Sequence, residues 1–129
     1  KDAFAGKSSA SLSADAYCAL GYDVCGTTAG AVLNQTPLPF SGTFRNLYVW
    51  MSAAQGSGDT CAVFVRTGTC NTTLSNTIVT CSVVNVDQDC SDTTNTAAGT
   101  AGQCAQFFFD EQGAGTCVGN IIVSVEYTP

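Results

Sequence analysis

Histidine is absent from the 129-residue chain, and basic residues are scarce. Without an imidazole, the chain has no Ser-His-Asp or Cys-His catalysis, no histidine zinc site and no haem attachment through CxxCH. Ten acidic residues against four basic ones give a net charge of 4 − 10 = −6. Nucleic-acid binding and polybasic membrane anchoring both need clustered lysine or arginine, so we expect neither partner.

Long apolar runs and a targeting segment are also missing from the sequence. No apolar run is long enough for a transmembrane helix, so we expect no membrane insertion. No signal peptide is visible, and the chain opens on Lys1 instead of methionine, which predicts a mature form cut from a precursor. The length fits one domain.

Cysteine, in contrast, is abundant. The eight cysteines form an even set with no CxxC spacing, which favours structural disulfides in an oxidising compartment over a redox motif or zinc ribbon. We therefore expect a protein that is extracellular or displayed on a virion or cell surface. The sequence does not fix the pairing, but Cys81–Cys90 and then Cys18–Cys25 are the preferred pairs, because each flanks a short loop or turn. The full set is Cys18, Cys25, Cys61, Cys70, Cys81, Cys90, Cys104 and Cys117.

Beyond its first residues the chain has the pattern of a β protein. Segments rich in Val, Ile, Phe, Tyr and Thr alternate with clusters of Gly, Ser, Asn and Asp, and no stretch has sustained helical periodicity. This predicts an all-β fold, an antiparallel, jelly-roll-like β-sandwich stabilised by disulfides, over residues 16–129. The predicted strands are Ala16–Leu20, Ala31–Leu33, Thr43–Ala53, Thr60–Thr67, Thr77–Asn85, Gln103–Asp110 and Val118–Tyr127.

Residues 1–15 are small and polar, and we interpret them as an N-terminal arm. If ordered, such an arm must lie against its own domain or against a neighbouring copy. Main-chain hydrogen bonds do not require large side chains, so the arm is a candidate strand donor or contact between subunits.

One predicted strand is apolar on both of its faces. Leu47, Val49 and Met51 alternate with Tyr48 and Trp50. A two-layer sandwich has a single interior, so the second face needs a cover: a loop, the arm or, preferably, another subunit. Tyr48 and Trp50 are interpreted first as core or interface residues and second as a platform for sugar rings. Another predicted strand, with Phe107, Phe108 and Phe109, is also apolar on both faces, so its second face needs a cover too.

Three further patterns are candidates for chemistry. Asp87, Asp89 and Asp92 lie close enough in sequence to suggest a weak Ca²⁺ site, but they lack the EF-hand pattern, so a solvated acidic loop is the favoured interpretation. Asp110 and Glu111 are adjacent on a strand and so point to opposite faces, which argues against a catalytic acid pair. We therefore expect no catalytic site, cofactor or metal.

Two sequons mark possible glycosylation sites of an exported protein. They begin at Asn34 and Asn71, with Thr36 and Thr73 as their third residues.

The segment 35–49, QTPLPFSGTFRNLYV, carries a resemblance to a known group of proteins. Together with SAAQGSG at 52–58 and Phe64-Val65-Arg66, it resembles small secreted or virion-associated β domains from phage and environmental sequences. The resemblance covers roughly residues 31–128, and departs from the usual pattern in its additional cysteines and in Thr67–Cys70, where an Asn-Gly turn is common. It implies a jelly roll of the tumour-necrosis-factor kind that associates with copies of itself.

These observations lead to one expectation of function. The chain is predicted to be a non-enzymatic structural subunit that self-assembles into an extracellular filament, fibre or virion surface component. The alternative is an adhesive β-sandwich module that binds surface glycans.

Overall fold

A computed structural model describes residues 2–8, 15–21, 25–55, 58–84, 86–112, 117 and 120–129, the first of these ranges as backbone. The described residues form a β protein with one short 3-10 helix, Val32–Asn34. None of their helices is long and apolar enough to cross a membrane. The strands are β1 (Asp2–Ser8), β2 (Ala16–Ala19), β3 (Cys25–Gly26), β4 (Thr36–Pro37), β5 (Gly42–Met51), β6 (Thr60–Gly68), β7 (Ser75–Val84), β8 (Asp89–Asp92), β9 (Ala97–Gly99), β10 (Cys104–Gln112) and β11 (Ile121–Thr128).

Two antiparallel sheets pack face to face, which confirms the predicted sandwich. Sheet I has the order β1-β11-β5-β8, with β9 also paired to β5. Sheet II has the order β3-β2-β10-β6-β7, with β4 also paired to β10. With β3, β4 and β9 left out, pairing runs from the outside of the sequence inwards: β1 with β11, β2 with β10, β5 with β8 and β6 with β7. A long ribbon wrapped in this way into two sheets is a jelly roll.

Alternation divides the side chains of the long strands between two faces, and the structure shows which face is buried. On β5, Leu47, Val49 and Met51 are buried between the sheets. On β11, every second side chain from Ile121 to Tyr127 is buried in the same way. The period of two therefore divided the side chains of each strand between two faces, and burial between the sheets shows which face forms the core.

The prediction of a strand at Ala31–Leu33 is wrong. Hydrogen bonds from the backbone N–H of Asn34 to the Ala31 carbonyl and from Gln35 to Val32 close a 3-10 turn there. Val32 and Leu33 point to solvent, so their apolar character does not reflect burial in a sheet. The two-residue strands β3 and β4, and the short β8 and β9, were not predicted, since so few residues show no alternation.

The segment interpreted as an arm contains β1, which lies against its own domain. All seven residues of β1 pair with β11, from Asp2 opposite Tyr127 to Ser8 opposite Ile121. Residues 1 and 9–14 of the predicted arm lie outside the described residues.

On the outer face of sheet II, side chains of the same chain cover the aromatic residue Phe108. Phe108, on the outer face of β10, stacks between Tyr17 and Phe64, with ring centroids 4.8 Å and 5.9 Å away. The Arg66 guanidinium lies 3.9 Å from the centroid of the Phe108 ring. Phe108 is consequently buried. The predicted cover for the second face of this strand is therefore supplied at Phe108 by side chains of the same chain.

Four disulfides link the eight cysteines, and they indicate an oxidising environment. Cys81–Cys90 and Cys18–Cys25, the two pairs preferred from the sequence, are both confirmed. Cys81–Cys90 joins β7 of sheet II to β8 of sheet I, so it fastens the two layers together. The other two, Cys61–Cys117 and Cys70–Cys104, close much longer stretches of chain.

Candidate binding face on sheet I

The outer face of sheet I exposes three large apolar side chains side by side. Tyr48, Trp50 and Ile122 are 53%, 54% and 56% exposed. Ile122 on β11 lies opposite Trp50 on β5 in the register of the sheet. We call these three residues the aromatic face.

Polar side chains border the aromatic face on both neighbouring strands. On β8, Ser91 lies opposite Tyr48 and Asp89 opposite Trp50. On β11, Ser124 lies opposite Tyr48 from the other side. Together with the aromatic face they form a shallow depression of about 290 Å³, which is lined by Tyr48, Val49, Trp50, Asp89, Cys90, Ser91, Ile122 and Ser124.

The alternation of β5 explains why these rings face outwards. Leu47, Val49 and Met51 occupy the interior, so Tyr48 and Trp50 necessarily point to the opposite side of the sheet. Of the predicted roles for Tyr48 and Trp50, the core role is therefore wrong, and the interface and sugar-platform roles stay predictions. Strand β1 does not cover them either, because it extends sheet I sideways beyond β11.

The composition of this face suits a binding surface. Tyr and Trp offer large flat surfaces with one polar atom each, and the hydroxyls of Ser91 and Ser124 and the carboxylate of Asp89 offer hydrogen bonds around them. Such a surface suits either a second protein surface with an apolar centre or a ring that is apolar on its faces and polar at its edge.

Comparison with protein-family models, curated proteins and solved structures finds no match for the chain. The assignment of this face as a site rests on its geometry. Alternation in the sequence identified Tyr48 and Trp50, whereas Ile122, Asp89 and Ser124 join them only through the register of three strands.

The acidic candidates for Ca²⁺ are not brought together. The carboxylate of Asp92 is buried and accepts hydrogen bonds from the backbone N–H groups of Thr80, Thr94 and Asn95, at 3.1, 3.2 and 3.0 Å. Asp87 and Asp89 are exposed. Within the described part of the chain, no three acidic, cysteine or histidine side chains gather into a metal-binding group.

The hydrogen bonds of Asp92 also change its acidity. Burial alone would raise the pKa of this carboxyl, but the hydrogen bonds donated by Asn95, Thr80 and Thr94 outweigh burial. The pKa of Asp92 consequently lies below its ordinary value of 3.8. Asp92 thus holds the turn after β8 against β7 instead of offering its oxygens to a cation.

The two sequons lie in very different surroundings. Asn34 is buried, and its Nδ2, the atom that would carry a glycan, donates to the Thr28 carbonyl at 2.9 Å. Asn71 is exposed in the turn after β6, with a positive φ of 62°. The folded structure leaves room for a glycan at Asn71 but not at Asn34.

A buried polar cluster anchors the loop before β4, and sequence reasoning missed it. The Nε2 of Gln106 on β10 donates to the carbonyl and to the Oδ1 of Asn34, each at 3.2 Å. Gln35 donates to the Thr72 carbonyl at 2.7 Å and accepts from the Asn71 N–H at 2.8 Å. A lone glutamine in the apolar run Cys104–Phe109 was the available signal, since a buried amide must find partners.

Proposed function

We propose that the protein is a non-enzymatic structural subunit, which assembles with copies of itself into an extracellular filament, fibre or virion surface component. The observation that carries this proposal is the half-exposed aromatic face of sheet I. The comparable aromatic residues on the outer face of sheet II are covered by the chain itself, whereas Tyr48 and Trp50 are not.

Physical chemistry favours a protein surface as the cover. Trp and Tyr supply much of the binding energy of protein interfaces, because they bury large areas at a small cost in side-chain entropy. Only 4 + 10 = 14 of the 129 residues are charged, and Asp89 is the acidic residue that lines the depression. A second copy therefore brings a surface of low charge density that costs little to desolvate.

The variant Trp50→Ser/Ile122→Ser tests the proposal. We expect the native protein to form oligomers or filaments in light scattering and negative-stain microscopy, and this variant to remain monomeric. Val32→Ser/Leu33→Ser is the matched control, since it removes two exposed apolar side chains from the 3-10 helix and should assemble normally. Circular dichroism verifies that both variants fold. A native protein that stays monomeric at every concentration, or a Trp50→Ser/Ile122→Ser variant that assembles normally, contradicts the proposal.

A glycan-binding module is the second candidate, favoured by the polar border of the aromatic face. Asp89, Ser91 and Ser124 stand beside two aromatic rings, and this combination matches the apolar face and the hydroxyl groups of a sugar. Trp50 is the single tryptophan of the chain, so its fluorescence reports directly on this face. Titration with oligosaccharides should change the emission if a glycan binds, and Asp89→Ala should weaken that response; an unchanged emission excludes this candidate for the sugars tested.

A further inference from the structure

Strand β1 occupies an edge of sheet I, where its backbone pairs with β11. Among the described strands it pairs with β11 alone, in seven consecutive pairs without a register shift. Its sequence, DAFAGKS, contains one large apolar residue, Phe4. The backbone of β1 joins β11 through an antiparallel ladder of main-chain hydrogen bonds.

The edge that receives β1 is formed by a strand belonging fully to the core. Ile121, Val123 and Val125 of β11 are buried, and the other edge of β11 pairs with β5. Without β1, the outward N–H and C=O groups of β11 form an unpaired edge beside this core. Such an edge accepts any strand of suitable length, and a main-chain ladder is the same whichever chain supplies it.

We propose that β1 is exchanged between copies, so that residues 2–8 of one copy pair with β11 of the next. This inference rests on the proposed self-assembly and names its partner as a second copy of this chain. Exchange keeps the register Asp2–Tyr127 to Ser8–Ile121 and replaces a contact within one chain by an identical contact between two.

The positions of donor and acceptor determine the kind of assembly. The donated strand is β1 and the accepting edge belongs to β11, so each copy carries one donor strand and one accepting edge on different elements. Donation from copy to copy is then head to tail. Such an arrangement extends into a filament unless the copies close into a ring. The aromatic face lies on the broad side of sheet I, away from this edge, so its burial between copies is a second contact that the assembly also requires.

Engineered disulfides across the register distinguish the two arrangements. Ala5 lies opposite Ser124, so chains carrying Ala5→Cys alone are mixed under denaturing, reducing conditions with chains carrying Ser124→Cys alone, then refolded, oxidised and assembled. If β1 is exchanged, non-reducing electrophoresis shows a two-chain species at least five-fold more abundant than in either variant by itself. The double variant Ala5→Cys/Ser124→Cys should give a ladder of linked chains.

Thr43→Cys/Thr128→Cys is the matched control, because this pair joins β5 to β11 within one chain. It should give only linked species of monomer size. A double variant at Ala5 and Ser124 that also gives only monomer-sized species, with no two-chain species above background in the mixture, overturns the exchange. If the Ala5→Cys/Ser124→Cys variant gives only monomer-sized species but still assembles in light scattering, the proposed self-assembly survives without strand exchange. If the native protein does not assemble, the proposed function and the strand exchange both fail.

Discussion

Asp92 is the buried acidic residue among the side chains that the structure describes. Its two carboxylate oxygens accept hydrogen bonds from β7 and from the turn that follows β8, including the Asn95 Nδ2 at 3.0 Å. One side chain thereby connects an edge strand of each sheet. The sequence suggested an acidic loop open to solvent, because nothing in the spacing of the aspartates shows which of them faces inwards.

Replacing Asp92 by Asn should destabilise the protein at neutral pH. One oxygen becomes an amide that faces N–H donors, and we expect a loss of about 2 kcal/mol, which lowers the melting temperature by roughly 6 °C. The folded pKa of Asp92 lies below its ordinary value of 3.8. Its contribution is therefore complete above that value and is lost as the pH falls through the lower folded pKa.

Thermal unfolding at pH 7 and at pH 2.5 checks this expectation. The difference between the native protein and Asp92→Asn should be largest at pH 7 and smaller at pH 2.5. Asp89→Asn is the control, because Asp89 is an exposed carboxylate on the same strand and its loss should change little. Equal stability of native protein and Asp92→Asn at pH 7 contradicts the role given to Asp92.

At the scale of elements, the sequence predicted the long strands with alternating side chains and missed the short strands. The alternation in β5 and β11 is long enough to define an inner and an outer face. The pairs Tyr17–Gly26 and Cys104–Pro37 belong to two-residue strands, whose place depends on neighbours distant in sequence. Strand β1 was predicted only as part of an arm that could donate a strand, since its small residues give no apolar pattern.

Prediction from the sequence has the same limit for the outer faces of the two sheets. Alternation showed that the strands of Phe108 and Trp50 are apolar on both faces, and it predicted a cover for the second face of each. It could not show that Tyr17, Phe64 and Arg66 supply the cover for Phe108, because those contacts depend on the order of strands in sheet II.

Arg66 should stabilise sheet II through its contact with these rings. Its guanidinium lies over Phe108 and 5.3 Å from the Tyr17 ring centroid, and its Nε donates to the Asn76 Oδ1. We expect Arg66→Ala to lower the free energy of unfolding by about 1–2 kcal/mol, from lost cation–π contact and lost packing of the side-chain stem.

Urea unfolding of Arg66→Ala and Arg66→Lys checks the origin of the effect. Lysine keeps a charge and an apolar stem but not the planar guanidinium, so its stability should fall between those of the alanine variant and the native protein. If Arg66→Ala unfolds with the same free energy as the native protein, the aromatic rings of sheet II do not depend on the Arg66 side chain for stability.

At the scale of the whole molecule, the sandwich and two disulfides were predictable, but the other two disulfides were not. Cys18–Cys25 and Cys81–Cys90 are separated by 7 and 9 residues, and local turns bring them together. Cys61–Cys117 and Cys70–Cys104 are separated by 56 and 34 residues. Only the wrapping of the ribbon places those cysteines side by side, so no local pattern predicts the pairing.

The disulfides should differ in what they contribute to stability. Closing a longer loop restricts the unfolded chain more, so we expect Cys70→Ala/Cys104→Ala to cost about 4 kcal/mol and Cys18→Ala/Cys25→Ala about 2 kcal/mol. The two pairs are matched, because each has one buried and one less buried cysteine. Urea unfolding under oxidising conditions gives both values, and an inverted order would show that loop closure does not govern the difference.

The pairing of β1 with β11 has a consequence for the order of folding. From Ser8 to Ile121 the chain runs 121 − 8 = 113 residues before the first strand meets its partner. Such a distant contact slows folding, and during synthesis it cannot form until β11 has left the ribosome. Sheet I therefore closes only once β11 is available, and a nascent subunit holds an unpaired β1 until then.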